Sequence, residues 1–224
     1  MDPEASDADF WRKEAHRVLA TIGGLTPSLR RFSGLLETMA LERTSDSLET
    51  LRAAYEWLRE SVSVEEVDPV ERDLPYLVGA RRFLKSRTPA DVIDERRGTP
   101  EEVRLTFLAL AKALGVEHQI ALVTDRTVRH WQREWRSTEH FDATLTVIGG
   151  RDDECSAATV VDAASGLPWG EVPSRDTGII AALLTSEGVS DFEIPEREPS
   201  RSDAAVSAGR TRCGPQAASA SFPW

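Results

Sequence analysis

The stretch Gly98-Thr-Pro-Glu-Glu-Val-Arg-Leu-Thr-Phe-Leu-Ala-Leu-Ala-Lys-Ala-Leu-Gly115 decides the fold class expected for this chain. Its first residues predict a helix start: Thr99 suits the N-cap, Pro100 the first helical position, and Glu102 completes a Thr-x-x-Glu capping box. Gly115 predicts the C-terminal stop of the helix. Apolar residues cover much of its circumference, namely Val103, Phe107, Leu108, Leu110, Ala111 and Leu114. We therefore expect a buried, central helix.

Three β-strands are predicted directly after this helix, over residues 118–124, 141–148 and 158–163. The turn sequence Gly149-Gly150 between the second and the third strand predicts an antiparallel hairpin. A buried helix followed by an antiparallel sheet is the pattern of an α+β domain.

Three further helices are predicted before this core. Asp9 can cap the first, which is expected to end at Gly23-Gly24, and Thr26-Pro27 begins the second. Asp46, with Glu49 three residues later, is suited to cap the third. Their apolar stripes are Trp11, Ala15, Val18 and Ile22; Leu29, Phe32, Leu36 and Met39; and Leu48, Leu51, Tyr55, Leu58 and Val62.

Two segments show no clear apolar periodicity. Prolines interrupt residues 63–95, which are expected to form a surface loop. From residue 196 the chain is rich in Ser, Ala, Arg, Gly and Pro and is expected to be disordered. The predicted organisation is an N-terminal helical segment over residues 1–47, an α+β domain over 48–195, and a disordered tail over 196–224.

Composition excludes several classes of partner. The chain is 40% hydrophobic and 29% charged, which predicts a folded core, and its net charge of -11 disfavours nucleic acid and anionic lipid. No apolar run approaches the ~18 residues of a membrane span, and no secretory signal is present, so the expected location is the cytoplasm. The histidines and cysteines lack metal-ligand spacing, and we expect no metal or other cofactor.

Several segments, in their order along the chain, resemble bacterial transglutaminase-like domains. They are Ala-Tyr-Glu-Trp-Leu-Arg-Glu-Ser-Val (54–62), Pro-Ala-Asp-Val-Ile-Asp-Glu-Arg-Arg-Gly (89–98), Leu-Ala-Leu-Ala-Lys-Ala-Leu-Gly-Val (108–116), Val-Asp-Ala-Ala-Ser-Gly-Leu-Pro-Trp-Gly-Glu-Val-Pro (161–173) and Asp-Thr-Gly-Ile-Ile-Ala-Ala-Leu-Leu (176–184). The likeness spans roughly residues 50 to 195. It is closest to transglutaminase-like domains that follow a β-sandwich domain of unknown function (the DUF3857 group), and no such preceding domain is present in this chain.

The resemblance implies a papain-like α+β fold with a Cys-His-Asp triad, the cysteine being at the N-terminus of the buried helix. The family's Gly-Asp-Cys pattern aligns with residues 98–100, and its Phe-Asn-His pattern with residues 141–143. The nucleophile position is then Pro100, the base position is Ala143, and only Asp162 remains of the triad. Proline offers no nucleophile and alanine cannot accept a proton, so the resemblance predicts a degenerate site. Asp162 is then either a remnant of the triad or a turn or capping residue.

A relocated pair would have to use other residues. Cys155 lies in or beside the predicted hairpin turn, and His140 lies three residues before Ala143, an odd offset that would turn it to the opposite face of a strand. Cys213 falls in the predicted tail. A Cys155–His140 pair is one interpretation, and a small, partly buried cysteine with a surface histidine is the other.

Val128, Trp131 and Trp135 are spaced as on one face of a helical turn. Trp131 and Trp135 could grip a peptide or protein partner, or could pack back onto the domain and fill the disused cleft. Both interpretations are open from the sequence.

The expected function is therefore that of a catalytically inactive transglutaminase-like domain, a protein- or peptide-binding or scaffold module. The alternative is an active thiol-dependent acyltransferase or protease-like hydrolase that uses Cys155. A third hypothesis is a decayed or truncated gene product, motivated by the missing preceding domain and the unrelated tail. The sequence leaves the oligomeric state open.

Overall fold

A computed structural model describes residues 6–25, 29–65, 87–138, 140–149 and 158–196. Several features that the sequence singles out lie outside these ranges: Cys155, Cys213, the pair Thr26-Pro27 and the tail from residue 197 onward.

Five α-helices occur within the described ranges: α1 (Asp7–Leu25), α2 (Leu29–Thr38), α3 (Ser47–Ser61), α4 (Pro89–Glu95) and α5 (Pro100–Ala113). The strands in these ranges are β1 (Ser63–Val64), β2 (Arg97–Gly98), β3 (His118–Val123), β4 (Ala143–Ile148), β5 (Thr159–Val161), β6 (Ile179–Thr185) and β7 (Gly188–Ile194). A short 3-10 helix spans Ser174–Asp176. The α+β class expected from the sequence is confirmed.

Helix boundaries follow the local capping signals with two differences. Asp46 caps α3 by accepting hydrogen bonds from the backbone N–H groups of Leu48 and Glu49, as predicted. α1 begins earlier than predicted, because the hydroxyl of Ser6, rather than Asp9, accepts a backbone hydrogen bond (from the N–H of Asp9). It also continues through the predicted stop at Gly23-Gly24 to Leu25.

The prediction of a loop over residues 63–95 is wrong for α4. Thr88 and Asp91 form a reciprocal capping box, and Pro89 occupies the first turn of the helix, where proline's missing N–H costs nothing. The short strands β1 and β2 lie on either side of α4 and pair in parallel. Proline here begins a helix rather than interrupting one.

The main sheet has five strands in the order β5-β4-β3-β6-β7, with every neighbouring pair antiparallel. The antiparallel pairing predicted between the second and third strands is confirmed for β4 and β5, although both strands are shorter than predicted; residues 150–157 between them lie outside the described ranges. β6 and β7 form a hairpin that the sequence analysis did not predict.

α5 is the buried central helix. One side of it, including Phe107 and Leu110, packs with apolar residues of α2, α3 and α4. The other side, through Leu105 and Leu108, packs on β3 and β6 together with Trp11 of α1. α1, which the sequence analysis assigned to a separate N-terminal segment, thus contributes to the same core as the sheet.

Each face of the sheet has its own apolar cluster, because side chains alternate along a strand. Ile120 and Leu122 of β3 face α1 and α5. Val123, Ala143 and Leu145 belong to the cluster on the opposite face. This alternation decides which residues can face the N-terminus of α5. No helix in the described part of the chain combines the length and apolar character needed to cross a membrane.

Candidate functional site

The N-terminus of α5 occupies the place where the resemblance predicts a nucleophile. The hydroxyl of Thr99 accepts a hydrogen bond from the backbone N–H of Glu102, and the Glu102 carboxylate accepts one from the N–H of Thr99 at 2.8 Å. Glu102 also accepts hydrogen bonds from the backbone and guanidinium of Arg87. Pro100 is the first residue of the helix. These bonds use the free N–H groups of the helix start for capping, as the sequence predicts.

Asp162, directly after β5, is completely buried and paired with an arginine. Its two carboxylate oxygens accept hydrogen bonds from Nε and Nη2 of Arg104 at 2.8 and 3.0 Å. Oδ1 also accepts the backbone N–H of Ala164 at 3.0 Å. Arg104 is itself only 5% exposed and lies one helical turn after Pro100. Asp162 therefore holds the β5 end of the sheet to α5.

β4 meets the same helix through Thr144. Its hydroxyl donates a hydrogen bond to Oε1 of Glu101 at 3.1 Å, and Glu101 Oε2 lies 3.9 Å from the guanidinium of Arg104. Because Thr144 faces α5, the adjacent Ala143 faces the other side of the sheet, where it belongs to the opposite apolar cluster. The β4 position that faces the helix start is therefore Thr144.

Asp176 is a further buried acid near this group. It is 3% exposed, and its Oδ2 has no hydrogen-bond donor among the described residues, the nearest cation being Arg175 at 3.8 Å. Burial raises the pKa of Asp176 to about 6, and the carboxylate of Asp162 acts in the same direction. The positive charges of Arg175 and Arg104 act against this rise.

The structure brings together only part of the predicted site. The helix start at Pro100 and the buried Asp162 are connected through α5, whereas the side chain of Ala143 points to the other face. His140 lies in a turn before β4, so strand alternation does not fix the direction of its side chain, and its ring contacts that of Trp135. Cys155 lies outside the described residues.

The two tryptophans of the β3–β4 connection differ from each other. Residues 125–129 form a single turn in which the N–H of Arg129 donates to the carbonyl of Asp125 at 3.0 Å, but the helical spacing does not continue to Trp131 and Trp135. Trp131 is 8% exposed and packs with Trp11 and Phe141, which is the packing alternative left open by the sequence. Trp135 remains 39% exposed.

Arg104, Thr144 and Asp176 were not predicted as members of this group. Arg104 had a usable signal, because an arginine between Val103 and Leu105 on an apolar helix has to find a buried partner. Thr144 had none, because a strand's register fixes the face that each residue occupies and local sequence does not fix the register.

Comparison with protein-family models, with curated proteins and with solved structures finds no match.

Proposed function

We propose that this chain is a catalytically inactive transglutaminase-like module of papain-like fold that binds protein or peptide. The observation that carries the inactive assignment is the pairing of Asp162 with Arg104. In a triad the aspartate would orient a histidine; here its carboxylate is neutralised by an arginine of α5, the helix that would supply the nucleophile. On this proposal the family fold is kept and the catalytic chemistry is lost.

The position facing the helix start supports the same conclusion. Thr144 offers a hydroxyl that already donates to Glu101, and a neutral hydroxyl does not act as a general base near pH 7. Glu101 and Glu102 would also raise the pKa of any thiol placed at Pro100, because like charges disfavour the thiolate. Neither half of a Cys-His pair has a counterpart at this site.

A random-peptide display selection on the immobilised full chain tests the binding function. We expect an enriched family of sequences whose synthetic peptides bind saturably and are recovered chemically unchanged, with and without an added primary amine. Mass spectrometry of the recovered peptides provides the check on chemistry. Cleavage or amine incorporation would contradict the absence of catalysis, and the lack of any enriched, saturable binder would contradict the binding function.

A further inference from the structure

A gap in the main sheet lies between β3 and β6. The two strands pair only where residues 120–122 meet residues 182–184. No further pairing of the two strands follows; among the described residues, the chain after β3 next meets the chain before β6 where the backbone N–H of Arg126 donates to the carbonyl of Arg175 at 3.2 Å. A cavity of about 260 Å³ lies at this gap between the end of β3 and the start of β6. It is lined by Thr124, His130, Trp131, Gly178, Ile179 and Ile180.

The backbone of Ile180 faces this gap. The carbonyl of Val123 accepts a hydrogen bond from Asp142, so the peptide groups of Val123 face β4 and those of Leu122 face β6. The peptide groups of Ala182, the partner of Leu122, therefore point toward β3. Ile180 lies two residues before Ala182 and therefore presents its N–H and C=O in the same direction.

Thr124 would be opposite Ile180 if the register continued, but Thr124 has left the strand. Among the described residues no backbone hydrogen bond joins the two. The gap thus presents one peptide N–H and one C=O of the kind that an added extended segment pairs with.

The lining adds a buried donor and an apolar surface. Trp131 Nε1 is buried and has no acceptor among the described residues, which is an uncommon state for a buried indole N–H. Ile180 is 46% exposed beside it. An occupant with a carbonyl for the indole, an amide for Ile180 and an apolar side chain satisfies all of these groups.

We infer that this gap binds a short extended segment of a partner protein, with an apolar residue at its centre and no acidic neighbour. The inference rests on the proposed peptide-binding function and assigns it a site. The cavity fits about one residue with its flanking amides. The nearby Arg126 is already engaged by the carbonyl of Thr177 at 2.9 Å, and the chain's net charge of -11 repels acidic segments.

Titration of the ¹⁵N-labelled full chain with N-acetyl-leucine N-methylamide tests the site. We expect saturable shifts of the Gly178 and Ile180 amides and of the Trp131 indole, with a Kd of about 1 mM, since a ligand this small gains little binding energy. Trp131→Phe assigns the indole signal. N-acetyl-aspartate N-methylamide has the same backbone and should bind at least tenfold more weakly.

Two substitutions of exposed apolar residues form a matched pair. Ile180→Glu should weaken binding of the leucine probe at least fivefold, whereas Val128→Glu, at a 66% exposed residue outside the lining, should change it less than twofold. Equal effects of the two substitutions, or no shift at Gly178 and Ile180, would overturn the site. If display-selected peptides still bind the Ile180→Glu variant unchanged, the peptide-binding function stands and this location for it is wrong.

Discussion

At the scale of single residues, the pair Arg104–Asp162 decides whether Asp162 is available to orient a histidine. Both side chains are buried, and both carboxylate oxygens of Asp162 accept from the guanidinium. A buried charge without its partner is costly, while the net contribution of an intact pair is small. The pair therefore predicts a specific pattern of variant stabilities.

Arg104→Met should lower the free energy of unfolding by about 3–5 kcal/mol, because it leaves the Asp162 carboxylate buried and unpaired. The double variant Arg104→Met/Asp162→Asn removes that charge and retains an oxygen for the N–H of Ala164, so it should recover at least half of the loss. Urea unfolding followed by circular dichroism measures both. If the double variant is no more stable than Arg104→Met, the pair does not act as a buried ion pair.

Asp176 predicts a pH dependence of stability whose sign follows from its raised pKa. Below about pH 4 the carboxyl is protonated in both states. As the pH rises the unfolded chain ionises first, so this group's contribution to the free energy of unfolding falls until the pH passes its folded pKa of about 6.

Asp176→Asn should therefore be more stable than the parent chain at pH 7, by up to about 3 kcal/mol for a pKa raised to about 6 in the folded chain. The advantage should shrink as the pH falls toward 4. Urea unfolding at half-unit intervals of pH gives the difference curve. If the difference in the free energy of unfolding between the two chains stays constant from pH 4 to pH 7, the pKa of Asp176 is not raised.

At the scale of secondary-structure elements, the start of α5 tests whether the cap stabilises the helix as its geometry implies. Thr99→Ala should lower the free energy of unfolding by about 1 kcal/mol, because it removes the acceptor for the N–H of Glu102. Thr99→Ser keeps the hydroxyl and should be close to neutral. Differential scanning calorimetry on the three chains compares them. Equal losses for alanine and serine would contradict a capping role.

Local signals predicted helices well and strands less well. The capping signals of α3 and α5 each lie within three or four adjacent residues, so they can be recognised from the sequence alone. α4 is harder to predict because a proline-rich stretch favours a loop, although Thr88 and Asp91 form a capping box around Pro89. β6 begins Ile-Ile-Ala-Ala-Leu-Leu, a continuous apolar run that periodicity does not assign to strand or helix.

The candidate site was predicted less completely than the fold for a related reason. The helix start at Pro100 and the residue Asp162 follow from motif order. The partner on β4 depends on which face each residue occupies, and a shift of one residue exchanges the faces. The resemblance predicts Ala143, whereas the hydrogen bond to Glu101 identifies Thr144 as the residue facing α5.

At the scale of the whole molecule, α1 closes the core over the sheet. Trp11 is 1% exposed, contacts the rings of Trp131 and Phe141, and donates its indole N–H to the carbonyl of Arg133 at 2.7 Å. Through Trp11, α1 thereby packs against the segment that joins β3 to β4. Stability of the sheet should depend on this contact.

Trp11→Ala should cost about 3–5 kcal/mol, because it leaves a large cavity among buried side chains. Trp135→Ala removes the same side chain at a 39% exposed position and should cost about 1 kcal/mol or less. Thermal unfolding of both variants, with the parent chain melting in one cooperative transition, is the measurement. Similar losses at the two positions would contradict the inclusion of α1 in the core, and a parent chain without a cooperative melt would favour the decayed-gene hypothesis.

The central claim is that the start of α5 corresponds to a lost nucleophile position that faces Thr144. The most direct test measures the rate of iodoacetamide labelling against pH for a thiol introduced by Pro100→Cys, in a background carrying Cys155→Ser and Cys213→Ser. Adding Thr144→His should lower the thiol pKa by about one unit or more, because a histidine facing the thiol stabilises the thiolate. Adding Ala143→His, on the opposite face, should leave that pKa unchanged. Equal thiol pKa values for the two histidine variants, both folded by circular dichroism, would contradict the account.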